Sequence, residues 1–195
     1  MEARVFKRVR LHYISRNPDK TLLRAVMLAA FCSLRRGEIC ALESSDIDGH
    51  IIHVTKDLVA DRDGKLIVKP PKTKKSVRDI AAPAFVVDLM PEHGRICPLT
   101  PKQLTDRFRR AVKASGCPHF RFHDLRHYYV SIAHAIGIPD AYIMESGGWS
   151  TPAVMNRVYK STLSGFRERN AAALSNHFSE IYDTNYDTQK NKSTV

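Results

Sequence analysis

His123-Asp124-Leu125-Arg126-His127 places one permanent cation and two imidazoles within about a turn and a half of a predicted helix. Far upstream, Leu34-Arg35-Arg36-Gly37-Glu38 forms a second arginine knot, and downstream Arg157-Val158-Tyr159-Lys160 carries an isolated phenol. Two arginines able to fork onto one phosphate, a histidine able to move a proton and a phenol able to act as nucleophile suit phosphoryl transfer without a required metal or other cofactor.

The surrounding composition agrees with an anionic substrate. The 195 residues carry a formal net charge of +11, and the excess Lys and Arg recur in clusters at Arg4 to Arg10, Lys69 to Arg78 and Lys102 to Lys113. Any one cluster reads equally well as a solvated basic face, but three in so basic a chain favour nucleic acid over an anionic membrane. No apolar run approaches the roughly 20 residues that span a bilayer, and no signal peptide opens the chain. Cys32, Cys40, Cys97 and Cys117 are too widely spaced for a Cys-x-x-Cys motif. The expectation is reduced, buried or half-buried thiols in a cytoplasmic, DNA-associated protein.

Periodicity divides the chain into helices around a short β region. Leu22, Leu23, Val26, Met27, Ala30 and Phe31 predict a helix from Thr21 to about Cys32, and Glu38 to Leu42 a shorter one. Ile51 to Val54, Asp57 to Val59, Leu66 to Val68 and Ser76 to Ile80 are β-prone runs parted by turn residues. They predict an antiparallel sheet of about three strands, with a lysine-rich connection. Helices are expected again at 84–90, 101–113, 122–136, 140–146, 152–159 and 163–180, before a polar tail at 183–195. The fold class is therefore α+β, mainly helical with a small antiparallel sheet.

His119, His123 and His127 recur every four residues, a spacing that would suit a metal. Pro118 disfavours helix before His119, no His-Glu-x-x-His motif or cysteine pair completes a ligand set, and Arg126 repels a cation. The expected site holds an anion and no metal.

The Leu-Arg-Arg-Gly-Glu-Ile box, the His-Asp-Leu-Arg-His box and the terminal Tyr, in this order and at these separations, resemble the catalytic domain of tyrosine recombinases, the phage-integrase family. The resemblance covers roughly residues 20–180 and implies the DNA breaking-rejoining fold. It makes Arg35 the first catalytic arginine with Glu38 in support, and matches His123 and Arg126 to the His-x-x-Arg box, with Asp124 and His127 as support. Trp149 of Gly148-Trp149-Ser150 stands where many members have histidine, and Tyr159 is the implied nucleophile. The catalytic lysine of the family lies on a β-hairpin; Lys72 fits best by its Lys-Thr context, with Lys74 and Lys75 as alternatives.

What the resemblance further implies is cleavage and rejoining of double-stranded DNA at specific sites through a 3′-phosphotyrosine, in integration or excision of a phage or mobile element. A type IB topoisomerase shares this chemistry, and a noncatalytic DNA-binding module is the rival of a different class. Arg36, Lys74, Lys75, Arg78, Arg107, Arg110 and Arg121 are the expected DNA contacts. Residues 1–180 are expected to form the catalytic domain and 181–195 a flexible tail, with an N-terminal core-binding domain absent from this chain. The full-length protein is expected to act as a homo-tetramer on DNA, and the isolated domain can be monomeric.

Overall fold

The computed structural model describes residues 19–71, 76–149 and 151–152. The chain divides into two units, Met1–Val158 and Tyr159–Val195, and all described residues belong to the first. Apart from residue 152, the helix expected at 152–159 lies outside the described residues, as do the helix expected at 163–180 and the tail.

Helix α1, Thr21–Phe31, buries nine of its eleven residues, so its apolar character on nearly every side reflects a central position in the core. Asp19 accepts from the Thr21 N–H at 2.9 Å, giving one of the orphan donors at the helix start a partner. Cys32 ends the helix, and Ser33 follows in a left-handed conformation at φ 55°. This costs a residue with a Cβ roughly 1–2 kcal/mol, so surrounding bonds must hold it there.

Helix α2, Arg36–Ala41, follows at once, and it buries Glu38, Ile39, Cys40 and Ala41. Gly37 has a steric reason: a Cβ there would lie 1.9 Å from Asp57 Oδ1 and 2.8 Å from the Leu58 carbonyl oxygen. Any larger residue would push α2 off the strand beside it.

A 3₁₀ turn at Ser44–Asp46 leads into β1 (Ile47–Asp48), β2 (Ile51–Val54), β3 (Asp57–Ala60), β4 (Leu66–Lys69) and β5 (Arg78–Ala81). The expected three-stranded antiparallel sheet is present, but its order is β1-β2-β5, while β3 and β4 form a separate antiparallel hairpin. Burial explains the division. β2 and β5 turn alternate residues inward, with Ile52 opposite Ile80 and Val54 opposite Arg78, whereas β4 buries none of its residues. Asp61 closes the hairpin turn by accepting from the Asp63 and Lys65 N–H groups at 3.0 and 2.8 Å.

Helix α3, Ala84–Val87, is shorter than its sequence pattern. Helix α4, Pro101–Ala114, opens on a capping box in which Thr100 and Gln103 exchange backbone and side-chain bonds, and Pro101 occupies the first helical turn. Its Leu104, Phe108 and Val112 repeat every four residues on the buried face, and Phe108 meets Phe120 and Phe122 edge-on at 5.3 and 5.2 Å. Each such buried side chain contributes about 1.5–3 kcal/mol.

Helix α5, Asp124–Ala135, carries Leu125, Arg126, Tyr128, Val130, Ser131 and Ala133 on its buried side. Helix α6, Asp140–Gly147, ends in left-handed Gly148, with the N–H groups of Gly148 and Trp149 bonded back to Glu145 and Met144 at 2.9 Å each. One core of α1, α2, β2, β5, α4 and α5 side chains underlies these elements, and a smaller cluster of Val130, Ala133 and Ile143 joins α5 to α6. Cys32, Cys40 and Cys97 are buried thiols and Cys117 is half-buried. Burial alone pushes the Cys32 thiol up to about 12. Among the described residues, no helix is long and apolar enough to cross a membrane.

Candidate active site

The C-terminus of α6 supplies the frame of the site. Helix C-termini leave carbonyls without intrahelical partners and carry partial negative charge, so they attract cations. Three successive carbonyls here accept from three arginines. Ser146 takes Arg78 Nε at 2.8 Å, Gly147 takes Arg126 Nη2 at 2.8 Å, and Gly148 takes Arg35 Nη2 at 2.5 Å. The arginines arrive from β5, from α5 and from the start of α2.

Both glycines are needed for this approach. Gly148 has φ 62°, and a Cβ on it would lie 3.1 Å from Arg78 Nη1 and 3.2 Å from Arg35 Nη1. At Gly147 an added Cβ would meet the Trp149 ring at 2.0 Å. Trp149 folds back over this glycine, packs on the small α5–α6 cluster, and sets its ring 4.7 Å from the Arg126 guanidinium. The contact is a cation–π pair that orients Arg126.

Arg126 is 2% exposed, and its Nη1 also donates to the carbonyl of left-handed Ser33. That bond ties α5 to the loop just before Arg35 and helps hold the strained Ser33 backbone. Arg126 Nε and Ser33 Oγ are buried without partners among the described residues. A guanidinium has five N–H donors, so the two anchoring bonds leave Arg126 with donors to spend. Burial first, and then the charge of Arg35, pulls its pKa down to about 9, which leaves it a cation at neutral pH.

Arg35 is the N-cap residue of α2. Its backbone N–H donates to Glu38 Oε2 at 2.7 Å, and its Nη1 donates to Glu38 Oε1 at 2.7 Å. Glu38 is therefore the support that the sequence predicts, but it serves two arginines. Arg78 grips the same carboxylate with a fork, Nη1 to Oε1 at 3.1 Å and Nη2 to Oε2 at 3.0 Å. Burial would raise the Glu38 carboxyl, yet bonds and charge from Arg78, then the charge of Arg35, hold it below its usual range.

Arg78 therefore departs from its expected role as a DNA contact. Its side chain is 3% exposed, with the guanidinium spent on Glu38, Ser146 and Ser76. The sequence places it in a basic cluster because it follows three lysines; the inward face of β5 takes it into the core.

His123 precedes α5 and meets His127 edge-on at 5.0 Å between ring centres. Although His123 is exposed by surface area, the protein lowers its pKa to about 4, burial first and the charge of Arg126 next. Solvent access moderates the first cause, while the neighbouring cation keeps the direction. The imidazole is neutral at pH 7 and able to accept a proton. Asp124 accepts from Arg121, backbone N–H at 2.7 Å and Nη2 at 2.9 Å, and lies 4.0 Å from His127 Nε2. His127 is half-buried, its Nδ1 has no partner among the described residues, and burial lowers its pKa.

A cleft of about 1050 Å³ is lined by Arg35, Arg36, Arg121, His123 and Arg126, with Asp57 on its wall. Desolvation, and then the charge of Glu38, raises the Asp57 carboxyl. Arg36 donates to Thr105 Oγ1 at 2.7 Å. Arg107 and Arg110 lie on α4 outside the cleft lining, Arg107 paired with Asp19 at 2.9 Å and Arg110 reaching the Asp106 carbonyl at 3.4 Å. Lys72, Lys74, Lys75 and Tyr159 lie outside the described residues. Among the described residues, no three His, Cys, Asp or Glu side chains converge as a metal ligand set.

The reading from sequence missed Ser33 and the carbonyls of residues 146–148. Backbone acceptors have no side-chain signature, and the Gly147-Gly148 pair, between the helices expected at 140–146 and 152–159, is the one local sign of a close approach.

Comparison with known proteins gives the family and the fold. The sequence model of the phage integrase family matches residues 8–164. A prophage phiRv2 integrase of Mycobacterium tuberculosis is 33% identical over 175 residues, covering 80% of this chain and 46% of the relative. The chain thus spans about half the length of the curated relatives it matches. Among solved structures, the Tn1549 transposon integrase in complex with transposon right end DNA superposes with a TM-score of 0.70 at 17% identity, over 88% of this chain and 65% of that one. A lambda integrase tetramer bound to a Holliday junction gives 0.53 at 20% identity, over 81% and 47%. Those two share the fold, and the match of family and relative along most of the sequence makes this chain a member of the phage integrase family of tyrosine recombinases.

Proposed function

We propose that this protein is the catalytic domain of a tyrosine-type site-specific DNA recombinase that integrates or excises a phage or mobile element. The observation that carries the proposal is the anchoring of Arg35 and Arg126 on the adjacent Gly148 and Gly147 carbonyls, at a cleft that also holds His123. Two cations so fixed cost no reorganisation when charge develops on the nonbridging oxygens of a phosphodiester.

In the proposed reaction Tyr159 attacks the phosphorus of one DNA strand, forming a 3′-phosphotyrosine as the bond to the 5′ oxygen breaks. Neutral His123 takes the tyrosine proton, and Lys72 gives a proton to the departing 5′ oxygen. A 5′-hydroxyl from the same or another strand reverses the step, so rejoining needs no external energy source. Trp149 keeps Arg126 aligned through its ring. Arg36, Arg107, Arg110, Arg121, Lys74 and Lys75 are the proposed contacts to DNA phosphates.

Residues 1–180 make up the proposed catalytic domain and 181–195 its tail, and the whole protein would add a core-binding domain that closes around double-stranded DNA. Assembly of four copies on two sites follows by analogy with the lambda integrase tetramer.

A nicked suicide duplex, from which the cleaved end diffuses away, tests the reading. The expected result is a covalent protein–DNA adduct that forms in excess chelator and is lost in Tyr159→Phe. An adduct that persists in that variant contradicts the assignment of the nucleophile. Relaxation of supercoiled plasmid lacking a cognate site would instead favour topoisomerase activity.

A further inference from the structure

We propose that Arg78 is a positioning residue that neutralises Glu38 and thereby leaves Arg35 a free cation for a DNA phosphate. Its catalytic readout rests on the recombinase function proposed above, whereas its anion-binding readout does not.

Glu38 is the carboxylate that positions Arg35, through the 2.7 Å bonds to its backbone N–H and Nη1. Left alone with Arg35, a carboxylate whose side chain is 1% exposed would form a neutral pair with it and cancel the field that a phosphate should meet. Arg78 changes that balance. Its fork on both Glu38 oxygens supplies a second positive charge, so the trio carries a net +1.

Access to the cleft decides which member of the trio carries that charge outward, since buried Arg126 lines the cleft and Arg78 does not. The Arg78 side chain is 3% exposed and has further donors fixed on the Ser146 and Ser76 carbonyls, whereas Arg35 is 32% exposed and lines the cleft. Arg78 therefore does not touch the phosphate; it acts through Glu38. Buried ion pairs contribute little net stability against an apolar core of equal volume, so folding alone is a poor reason for a fully buried arginine here.

The test compares wild type with Arg78→Met, Arg78→Lys and the double variant Arg78→Met/Glu38→Gln, each assayed well below its own melting midpoint. Single-turnover cleavage of the suicide duplex at saturating DNA should fall roughly 10²-fold in Arg78→Met, the scale of losing one preorganised charge contact, while DNA affinity changes by less than about 3-fold. The double variant removes the carboxylate that would capture Arg35 and should recover about 10-fold over the single variant. A residue that merely holds the fold would give a double variant no better than the single one.

In parallel, inorganic phosphate is titrated against the Arg35 Nε–H resonance of ¹⁵N-labelled protein. The response should weaken in Arg78→Met and return in the double variant, and Arg78→Lys should keep most of it because charge is retained without the fork. Equal responses of wild type and Arg78→Met, no wild-type response, a double variant like the single one, or a Lys variant as impaired as the Met variant would each overturn the proposal. If wild type cleaves no DNA, the recombinase reading fails and the phosphate titration alone decides the role of Arg78.

Discussion

Arg35, Arg78 and Arg126 meet at the end of α6, where carbonyl oxygens, one buried carboxylate and the Trp149 ring hold them in place. Arg107 and Arg109 on α4, outside the cleft lining, have side chains 40 and 69% exposed, and their acidic partners are Asp19 and Asp106. The two regions carry the same kind of charge at very different cost. An exposed pair contributes about 0–1 kcal/mol and rearranges freely, so α4 offers charge without position. The cluster at α6 bears the desolvation of its guanidiniums, and in return each has one orientation. Positioned charge serves a transition state, and diffuse charge serves attraction to a polyanion.

Removing a positioned cation should therefore do the most damage. Arg126→Met is expected to cut suicide-substrate cleavage by about 10²–10³-fold, and to leave the Ser33 and Gly147 carbonyls without their donor. Each unsatisfied group costs about 1–3 kcal/mol, which urea denaturation would read. Comparable cleavage by wild type and Arg126→Met would break the distinction between the two regions.

A glycine pair sharpens it. Gly94 and Gly148 both have left-handed backbones, at φ 82° and 62°, but an added Cβ at Gly94 meets no described residue within 4 Å. Alanine at either position should cost about 1–2 kcal/mol through backbone strain, measured as a lowered urea midpoint. Only Gly148→Ala should also slow cleavage, because only there does the methyl press on Arg35 and Arg78.

The pH dependence of stability gives a smaller effect. With its folded pKa near 4 and an unfolded value near 6.5, His123 takes a proton first in the unfolded chain as pH falls. It is neutral in both states above about pH 6.5, so its stabilising effect is present there and is lost progressively between about pH 6.5 and 4. His123→Gln should flatten the urea midpoint across that window, and a slope equal to that of wild type would show that His123 is not depressed.

Single changes on α4 should have the least effect. Arg107→Ala or Arg110→Ala is expected to weaken DNA binding a few-fold, alike for all sequences, and to reduce the salt slope by about 1, while the rate of the bound complex stays the same. A large rate loss at constant affinity would move these residues into the same class as Arg126.

The parts of this molecule legible in its sequence are those with a local signature. The burial of α1 and the four-residue repeat of α4 follow from apolar spacing, and the boxes around Arg35 and His123 name residues that the fold does bring together. Pairing over long separations was less legible. The hairpin β3–β4 and the sheet β1-β2-β5 use strands of similar character, and only the uncovered face of β4 separates them. Arg78 misled for a related reason: a basic neighbourhood describes the chain, whereas inward alternation along β5 decides where one side chain goes. The carbonyls of Ser146, Gly147 and Gly148 left no trace beyond two glycines, because any residue supplies a carbonyl and the conformation alone makes it an acceptor.

A crystal structure of the protein with a nicked duplex and orthovanadate would show whether the α6 cluster, and not the exposed arginines of α4, holds the reacting phosphate. The predicted result is a vanadate bonded by both Arg35 and Arg126, with His123 in reach of the phenol oxygen of Tyr159. A vanadate seated instead against Arg107 and Arg110 on α4, with the α6 arginines unchanged, would contradict it.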